Sequence, residues 1–371
     1  MAKLRIVGGK RLQGEIACSG AKNAVLPMLC AALLTAEPVT ITGVPALNDV
    51  ETLLKLLARI GVVVSRDGDT VTLCAATIAA PVAPYELVKT MRASILVLGP
   101  LLARVGEAEV SLPGGCAIGA RPVDQHLKGL AAMGAKVHVV HGNIHARAAR
   151  LTGARIVPDV VTVTGTENLL MAAVLADGVT VIENAAREPE IVDICRMLVA
   201  MGARISGIGT STLTVDGVAR LQPVEHRCVG DRIVAGTWAF AAAITAGDVT
   251  VEGVSPDLLP IVVDKLRDAG AEVTETPTDN PGGAFRVRGA ARPHSIRVAT
   301  LPFPGFPTDL QPFVIALNAV ADGVGLLTEN LFEARWRFVH ELARLGAEIT
   351  IDGNAGTGVA ENMMSGTVVV K

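Results

Sequence analysis

The segment Val199-Ala200-Met201-Gly202-Ala203 decides the fold prediction, because close variants of it recur along the chain. Each copy ends an apolar-periodic stretch with glycine, the residue that most easily takes the left-handed conformation that closes a helix. The recurring glycines are Gly61, Gly134, Gly202, Gly270 and Gly346. Successive glycines lie 73, 68, 68 and 76 positions apart. This near-constant spacing indicates an internal repeat.

A short strand is predicted directly after each marker glycine, as in Lys136-Val137-His138-Val139. Some of these strands lead into Asp-Gly turns, at Asp67-Gly68 and Asp352-Gly353, which predict a hairpin return. A second helix ending recurs upstream, for example at Ala176-Asp177-Gly178. The unit therefore reads as helix, strand, helix, strand and hairpin return, which is an α/β pattern. Two domains of three units need six markers, so five markers predict either one incomplete unit or a natural five-unit protein.

Composition restricts the class of protein and the kind of partner. The chain has 371 residues, half of them apolar, which is enough for two domains with sizeable cores. A net charge of −3 and only 3% aromatic residues argue against a nucleic-acid partner. The apolar runs are too short to span a bilayer, and no signal-peptide core follows Met1, so we expect no membrane insertion and a cytoplasmic location.

The cysteines and histidines give little support for a metal site. Six cysteines without a Cys-x-x-Cys pair predict free thiols in a long chain that has no export signal. His138, His141 and His145 fall on a predicted hairpin that turns at Gly142-Asn143. No carboxylate or cysteine near them in sequence completes a ligand set, so we favour a solvated strand over a metal site.

Cys116 differs from the other cysteines because glycines surround it in Gly114-Gly115-Cys116-Ala117-Ile118-Gly119. It has few large sequence neighbours with which to form a core, so this stretch predicts a reactive thiol in a loop, although an inert buried cysteine is the common alternative. Arg121 and His126 favour the thiolate if they lie near the sulfur atom.

The repeats and the cysteine loop together resemble the enolpyruvyl transferase family. Further motifs narrow the resemblance to the enolpyruvyl transferases that act on UDP-N-acetylglucosamine. These motifs lie at residues 19–24, 83–94, 112–126, 183–190, 230–233 and 306–311. The cysteine loop and the nucleotide-sugar motifs disfavour the related enzymes that act on shikimate 3-phosphate.

This resemblance implies a fold and a domain division. The family has an inside-out α/β barrel of two domains, each with three similar units whose helices pack inside, and its substrates bind between the domains. Residues 22–229 would form one domain, and residues 1–21 would join 230–371 in a discontinuous second domain. That second domain holds two marker glycines instead of three, so the incomplete unit is expected there.

The resemblance also implies the reaction, namely transfer of enolpyruvyl from phosphoenolpyruvate to the 3-hydroxyl of UDP-N-acetylglucosamine, which commits the sugar to peptidoglycan synthesis. Asp309 would be the general base and Lys22 a catalytic cation. Cys116 would be the mobile-loop cysteine implicated in proton donation, phosphoenolpyruvate adduct formation and fosfomycin alkylation. No cofactor or metal is implied. The implied substrate-binding residues are Asn23, Arg92, Arg121, Pro122, Val123, Asp124, Gln125, His126, Val163, Leu331 and Arg335.

The alternatives are a noncatalytic UDP-sugar-binding or regulatory homologue, or an inactive truncated form of the transferase. The family's later Asp-Leu-Arg and His-Ile-Asp-Arg-Gly segments, whose arginines contact phosphoenolpyruvate, have no counterpart before Lys371. Their absence is expected to weaken an anion site that depends on charged hydrogen bonds. The oligomeric state is left open.

Overall fold

The computed structural model describes residues 7–113, 123–351 and 367–370. The helices are α1 Lys22–Ala31, α2 Asn48–Ile60, α3 Tyr85–Val88, α4 Leu98–Val105, α5 Asp124–Ala132, α6 Val163–Ala173, α7 Pro189–Ala200, α8 Arg232–Ile244, α9 Pro260–Asp268, α10 Gln311–Val320 and α11 Val339–Arg344. The first strands are β1 Gln13–Ala17, β2 Pro38–Thr42, β3 Val63–Asp67, β4 Thr70–Cys74, β5 Val82–Ala83, β6 Glu107–Ser111, β7 Lys136–Val140, β8 Asn143–Arg147, β9 Arg155–Ile156 and β10 Val179–Glu183. The later strands are β11 Arg204–Ser206, β12 Thr212–Asp216, β13 Val224–Arg227, β14 Asp248–Glu252, β15 Glu272–Glu275, β16 Ala284–Arg288, β17 Arg297–Ala299, β18 Leu326–Thr328, β19 Glu348–Ile351 and β20 Thr367–Val370.

These elements form two compact units. We call the first the three-sheet unit; its described residues are 19–113 and 123–229. The second, which we call the Asp309 unit, contains described residues 7–18, 230–351 and 367–370. The chain passes from one unit to the other after residues 18 and 229.

The three-sheet unit repeats one sheet topology three times. Its four-stranded sheets have the strand orders β13-β2-β4-β3, β5-β6-β8-β7 and β9-β10-β12-β11. In each sheet the first two strands run parallel and the remaining pairs are antiparallel. Because β13 at the end of the unit pairs with β2 near its start, the third repeat closes on the first.

The helices of the three-sheet unit pack in its interior, and the sheets surround them. Helix α1 reads KNAVLPMLCA and buries every residue after Asn23, while α6 buries residues 165–173. A helix that is apolar nearly all round finds no favourable surface position, so it becomes the core. The strands alternate, as in β12, where Leu213 and Val215 are buried and their neighbours are not. The predicted inside-out α/β arrangement is confirmed.

The marker glycines take the backbone conformation that the repeat predicts. Their φ angles lie between 89° and 120°, and each follows the end of a helix and precedes a strand. A side chain in this conformation would be strained, which explains why the residue recurs. One turn differs from its prediction: β7 and β8 turn at His141 and Gly142, with φ of 49° and 78°, one residue earlier than expected. A tight two-residue hairpin turn with both central φ angles positive matches the strand twist.

The Asp309 unit is less regular. Its sheet β1-β14-β16-β15 has the same topology as the three above, but β17 pairs with β18 and β19 pairs with β20 in separate two-stranded sheets. Asp352 and Gly353, where a hairpin turn is expected from the sequence, lie outside the described residues, and the described strands β19 and β20 run parallel. A separate apolar core fills this unit, with Phe240 and Phe285 fully buried.

Three findings concern only the residues that the structure describes. None of their helices is long and apolar enough to cross a bilayer. No three His, Cys, Asp or Glu side chains among them form a group that could hold a metal ion. Their cysteines, at positions 18, 30, 74, 195 and 228, are not joined in disulfides.

Candidate active site

In the three-sheet unit, the candidate residues lie at or beside the beginnings of helices. Lys22 and Asn23 open α1, Arg92 opens the 3-10 helix Arg92–Val97, and Val163 opens α6. Val123 immediately precedes α5, whose first residues are Asp124, Gln125 and His126. The first backbone N–H groups of a helix lack partners within it, and the helix dipole favours negative charge there. These positions therefore suit anionic substrates.

Lys22 forms an exposed ion pair in this unit. Its Nζ lies 3.4 Å from Oδ2 of Asp49, and the two side chains are 44% and 40% exposed. An exposed ion pair contributes little to the free energy of folding, because both charged groups are also well solvated when they are apart. An anionic ligand can therefore compete with Asp49 for the Lys22 ammonium group.

His126 is held in the interior by Asn168, a residue that the sequence analysis missed. Asn168 Oδ1 accepts from Gly99 N at 2.6 Å, which orients the amide, and Nδ2 lies 2.9 Å from His126 Nδ1. The same Nδ2 donates to Ile95 O at 3.0 Å. The amide thereby links α5 and α6 to the 3-10 helix that begins with Arg92. An asparagine inside the apolar run of α6 was the available signal, since buried amides are nearly always hydrogen-bonded.

The ionisation of His126 follows from this environment. Burial, and then the positive charge of Arg92, lower the pKa of His126 to about 4, whereas Asp124 acts in the opposite direction. Because Asn168 donates to Nδ1, the remaining proton of the neutral ring belongs on Nε2. His126 can therefore donate a hydrogen bond from Nε2 but carries no charge at neutral pH.

This lowered pKa predicts a pH-dependent contribution to stability. Between pH 6.5 and 4 the unfolded chain protonates His126 while the folded chain resists protonation, so the free energy of unfolding falls as the pH falls, by up to about 3 kcal/mol. Urea unfolding at pH 7 and at pH 4 measures this loss of unfolding free energy. In His126→Gln, the free energy of unfolding should differ between pH 7 and pH 4 by about 3 kcal/mol less than in the unchanged protein. The exposed-site control His138→Gln should keep the full difference, and an unchanged difference in His126→Gln contradicts the prediction.

Gln125 is bound within the protein. Its Nε2 lies 2.8 Å from Asp124 Oδ2 and 3.1 Å from Asp159 Oδ2, and its Oε1 accepts from Asp159 N at 2.8 Å. The side-chain amide therefore ties the start of α5 to residue 159.

Buried acids lie near α6 as well. Burial, followed by the negative charges of Glu190 and Glu188, raises the pKa of Glu167 well above its usual range. Burial and these neighbouring charges therefore favour the protonated form of Glu167, a residue that the sequence analysis did not single out.

In the Asp309 unit, the structure brings two candidate residues together. Asp309 lies in the 3-10 helix Thr308–Leu310, just before α10. Arg335 Nη2 donates to Asp309 Oδ1 at 2.7 Å. The Arg335 side chain is 14% exposed and that of Asp309 is 42% exposed, so the carboxylate is the accessible member of the pair. Leu331 is half-buried on the segment that leads to Arg335.

Three predicted residues lie outside the described part of the chain. They are Cys116, Arg121 and Pro122. Their roles stay predictions.

Comparison with known proteins identifies the family. The sequence model of the EPSP synthase (3-phosphoshikimate 1-carboxyvinyltransferase) family matches residues 6–370. The structure of the enolpyruvyl transferase NikO from Streptomyces tendae matches with a TM-score of 0.80 and 22% identity, over 93% of this chain and 86% of that one. Two structures of EPSP synthase from Acinetobacter baumannii match with TM-scores of 0.66 and 0.64, at 20% and 19% identity. Each match covers 86% of this chain, and the matched regions make up 74% and 75% of the two EPSP synthase chains, respectively.

The structural matches support the mixed α/β fold, and the family model spans nearly the whole chain. The chain therefore belongs to the EPSP synthase family of enolpyruvyl transferases.

Proposed function

We propose that this protein transfers the enolpyruvyl group of phosphoenolpyruvate to the 3-hydroxyl of UDP-N-acetylglucosamine. The observation that carries the proposal is the pair of Asp309 and Arg335, joined at 2.7 Å, in a chain of this family. The nucleotide sugar is assigned from the sequence resemblance at residues 121–126, Val163 and Leu331. The reaction would commit the sugar to peptidoglycan synthesis, and so to cell-wall growth, cell shape and division.

Asp309 would act as the general base. Arg335 engages Oδ1, and among the described residues no other donor binds this carboxylate, so Oδ2 is available to a substrate hydroxyl. A base must lie within hydrogen-bond reach of the proton that it accepts. As the hydroxyl gives its proton to Asp309 and its oxygen bonds to C2 of phosphoenolpyruvate, C3 takes up a proton from the thiol that we assign to Cys116, so the C2–C3 double bond becomes single. The bond from C2 to the phosphate oxygen then breaks, and C3 returns a proton to the thiolate, which restores the double bond. Phosphate leaves with the proton that Asp309 had accepted.

Cations and helix termini would hold the charged groups of the substrates. Lys22 and Arg92 lie at helix beginnings of the three-sheet unit, where backbone dipoles also favour anions. We assign Arg121 to the same task, because a guanidinium group suits bidentate contact with phosphate or carboxylate. The other residues that would contact the substrates are Asn23, Pro122, Val123, Asp124, Gln125, His126, Val163 and Leu331.

Phosphate release by the purified chain tests the proposal. We expect release with phosphoenolpyruvate plus UDP-N-acetylglucosamine, and none with either substrate alone. Release with shikimate 3-phosphate instead would overturn the sugar assignment and favour the reaction for which the matching family is named. No turnover by folded protein that still binds UDP-N-acetylglucosamine would favour the noncatalytic homologue.

Cys116 supplies a separate test. We assign it as the thiol that donates a proton to phosphoenolpyruvate and reacts with fosfomycin. Cys116→Asp should therefore lose covalent labelling by fosfomycin, as measured by mass spectrometry of the intact chain. Cys74→Ser, at a half-buried strand cysteine, is the matched control and should keep the label. Labelling of Cys116→Asp to the same extent as the unchanged protein would contradict the assignment.

A further inference from the structure

Glu329 connects three segments of the Asp309 unit. It follows β18, and its Oε1 accepts from Thr300 Oγ1 at 2.8 Å, Leu331 N at 2.8 Å and Phe332 N at 3.2 Å. Its Oε2 accepts from Thr308 Oγ1 at 2.8 Å. The side chain is half-buried, and neither the family resemblance nor the sequence analysis marked it.

These contacts determine the direction of the hydrogen bond that Thr308 makes. The backbone N–H groups of Leu331 and Phe332 can only donate, so Oε1 must accept. A carboxylate has no proton to donate from Oε2 either, so the Thr308 hydroxyl gives its single hydrogen to Glu329. The hydroxyl oxygen then has its lone pairs free for Arg335 Nη1, which lies 3.3 Å away.

The hydrogen bond to Thr308 orients the Arg335 guanidinium group, which in turn contacts Asp309. With Nη1 directed at Thr308, the other terminal nitrogen, Nη2, meets Asp309 Oδ1 at 2.7 Å. A planar guanidinium group that is held at two nitrogens has one orientation. The path therefore runs from Glu329 through Thr308 and Arg335 to the carboxylate.

We propose that Glu329 is a positioning residue, which orients Arg335 through the Thr308 hydroxyl and so keeps Asp309 Oδ1 engaged and Oδ2 available to the acceptor hydroxyl. The inference rests on the proposed function, in which Asp309 is the base. Glu329 itself does not touch the reacting atoms in this mechanism.

Glu329→Gln tests the proposal with little change in shape. The Leu331 and Phe332 amides require the glutamine oxygen at the Oε1 position, which places its NH2 group against Thr308. Thr308 Oγ1 then receives two donors and loses the acceptor for its own hydrogen. We expect kcat to fall on the order of 10- to 100-fold, because small misplacements of a reacting group are costly. The KM for phosphoenolpyruvate and the urea midpoint should change little.

A double-mutant cycle separates positioning from general support. Thr308→Val removes the same hydroxyl, so Glu329→Gln combined with Thr308→Val should lose no more kcat than the worse single variant. Additive losses would mean that Glu329 does not act through Thr308. Glu275→Gln, at an exposed carboxylate on β15, is the matched control and should keep the kcat and midpoint of the unchanged protein.

A crystal structure of Glu329→Gln tests the inference even if the enzyme assignment fails. The distance between Arg335 Nη2 and Asp309 Oδ1, 2.7 Å here, should exceed the hydrogen-bond limit of about 3.5 Å. A distance that stays at its present value overturns the positioning role, whatever the activity. Absence of turnover in the unchanged protein, together with the lengthened distance, would overturn only the proposed function.

Discussion

Asp309→Asn is expected to lower kcat by about 10²- to 10⁴-fold, the range over which general acid–base catalysis contributes. Asparagine has nearly the same shape as aspartate, and its side-chain oxygen can still accept from Arg335 Nη2. It has no basic oxygen for the sugar proton. Phosphate release at saturating concentrations of both substrates measures the effect.

Asp309→Asn should affect the chemical step much more than substrate binding. The affinity for UDP-N-acetylglucosamine, measured by calorimetry without phosphoenolpyruvate, should change much less than kcat, because the base acts mainly on the chemical step. Asp279→Asn, at an exposed aspartate of the same unit, is the matched control and should keep full activity. Activity of Asp309→Asn close to that of the unchanged protein would remove Asp309 from the proposed role.

Phe240→Ala is expected to lower the free energy of unfolding of the Asp309 unit by about 3 to 5 kcal/mol, since a large buried ring is replaced by a cavity. Phe240 is fully buried. Its ring packs edge-on against Phe306 at 6.3 Å between centroids and stacks with Phe313 at 6.5 Å. Both tryptophans, Trp238 and Trp336, lie in this unit, so their fluorescence during urea unfolding measures its stability.

Two controls accompany this prediction. Phe240→Leu should cost less, because it leaves a smaller cavity, and Leu345→Ala should change stability by less than about 0.5 kcal/mol, because Leu345 is 85% exposed. Since Phe306 lies three positions before Asp309, Phe240→Ala should also reduce activity at temperatures where the unit is folded. A loss of stability no larger than that of Leu345→Ala would contradict the packing described here.

The repeat was predictable from sequence because its signals are local. A glycine directly after a helix readily takes positive φ whatever its tertiary surroundings, so Gly61 and Gly270 could be recognised from the sequence. The alternation of helices and short strands follows from periodicity in the same way. The pairing of β19 with β20 was not predictable, because strand partners depend on the path of the chain between them.

The candidate site was predictable only in part. The resemblance selected Asp309 and Arg335, and the structure places them in contact. It did not select Asn168, which lies 42 positions from His126, or Glu329, which lies 21 positions from Thr308. A buried asparagine or a half-buried glutamate carries no motif, and its partners become evident only when distant segments meet.

The sequence by itself determined the repeating α/β unit, the helix ends and the residues able to carry charge chemistry, because each depends on the intrinsic preferences of neighbouring residues. The tertiary structure decided which of those residues are charged and which of their atoms a substrate can reach. Burial beside Arg92 makes His126 neutral, and contact with Arg335 leaves one oxygen of Asp309 available. Electrostatic energies depend on distance and on exclusion of water, which are properties of the folded chain.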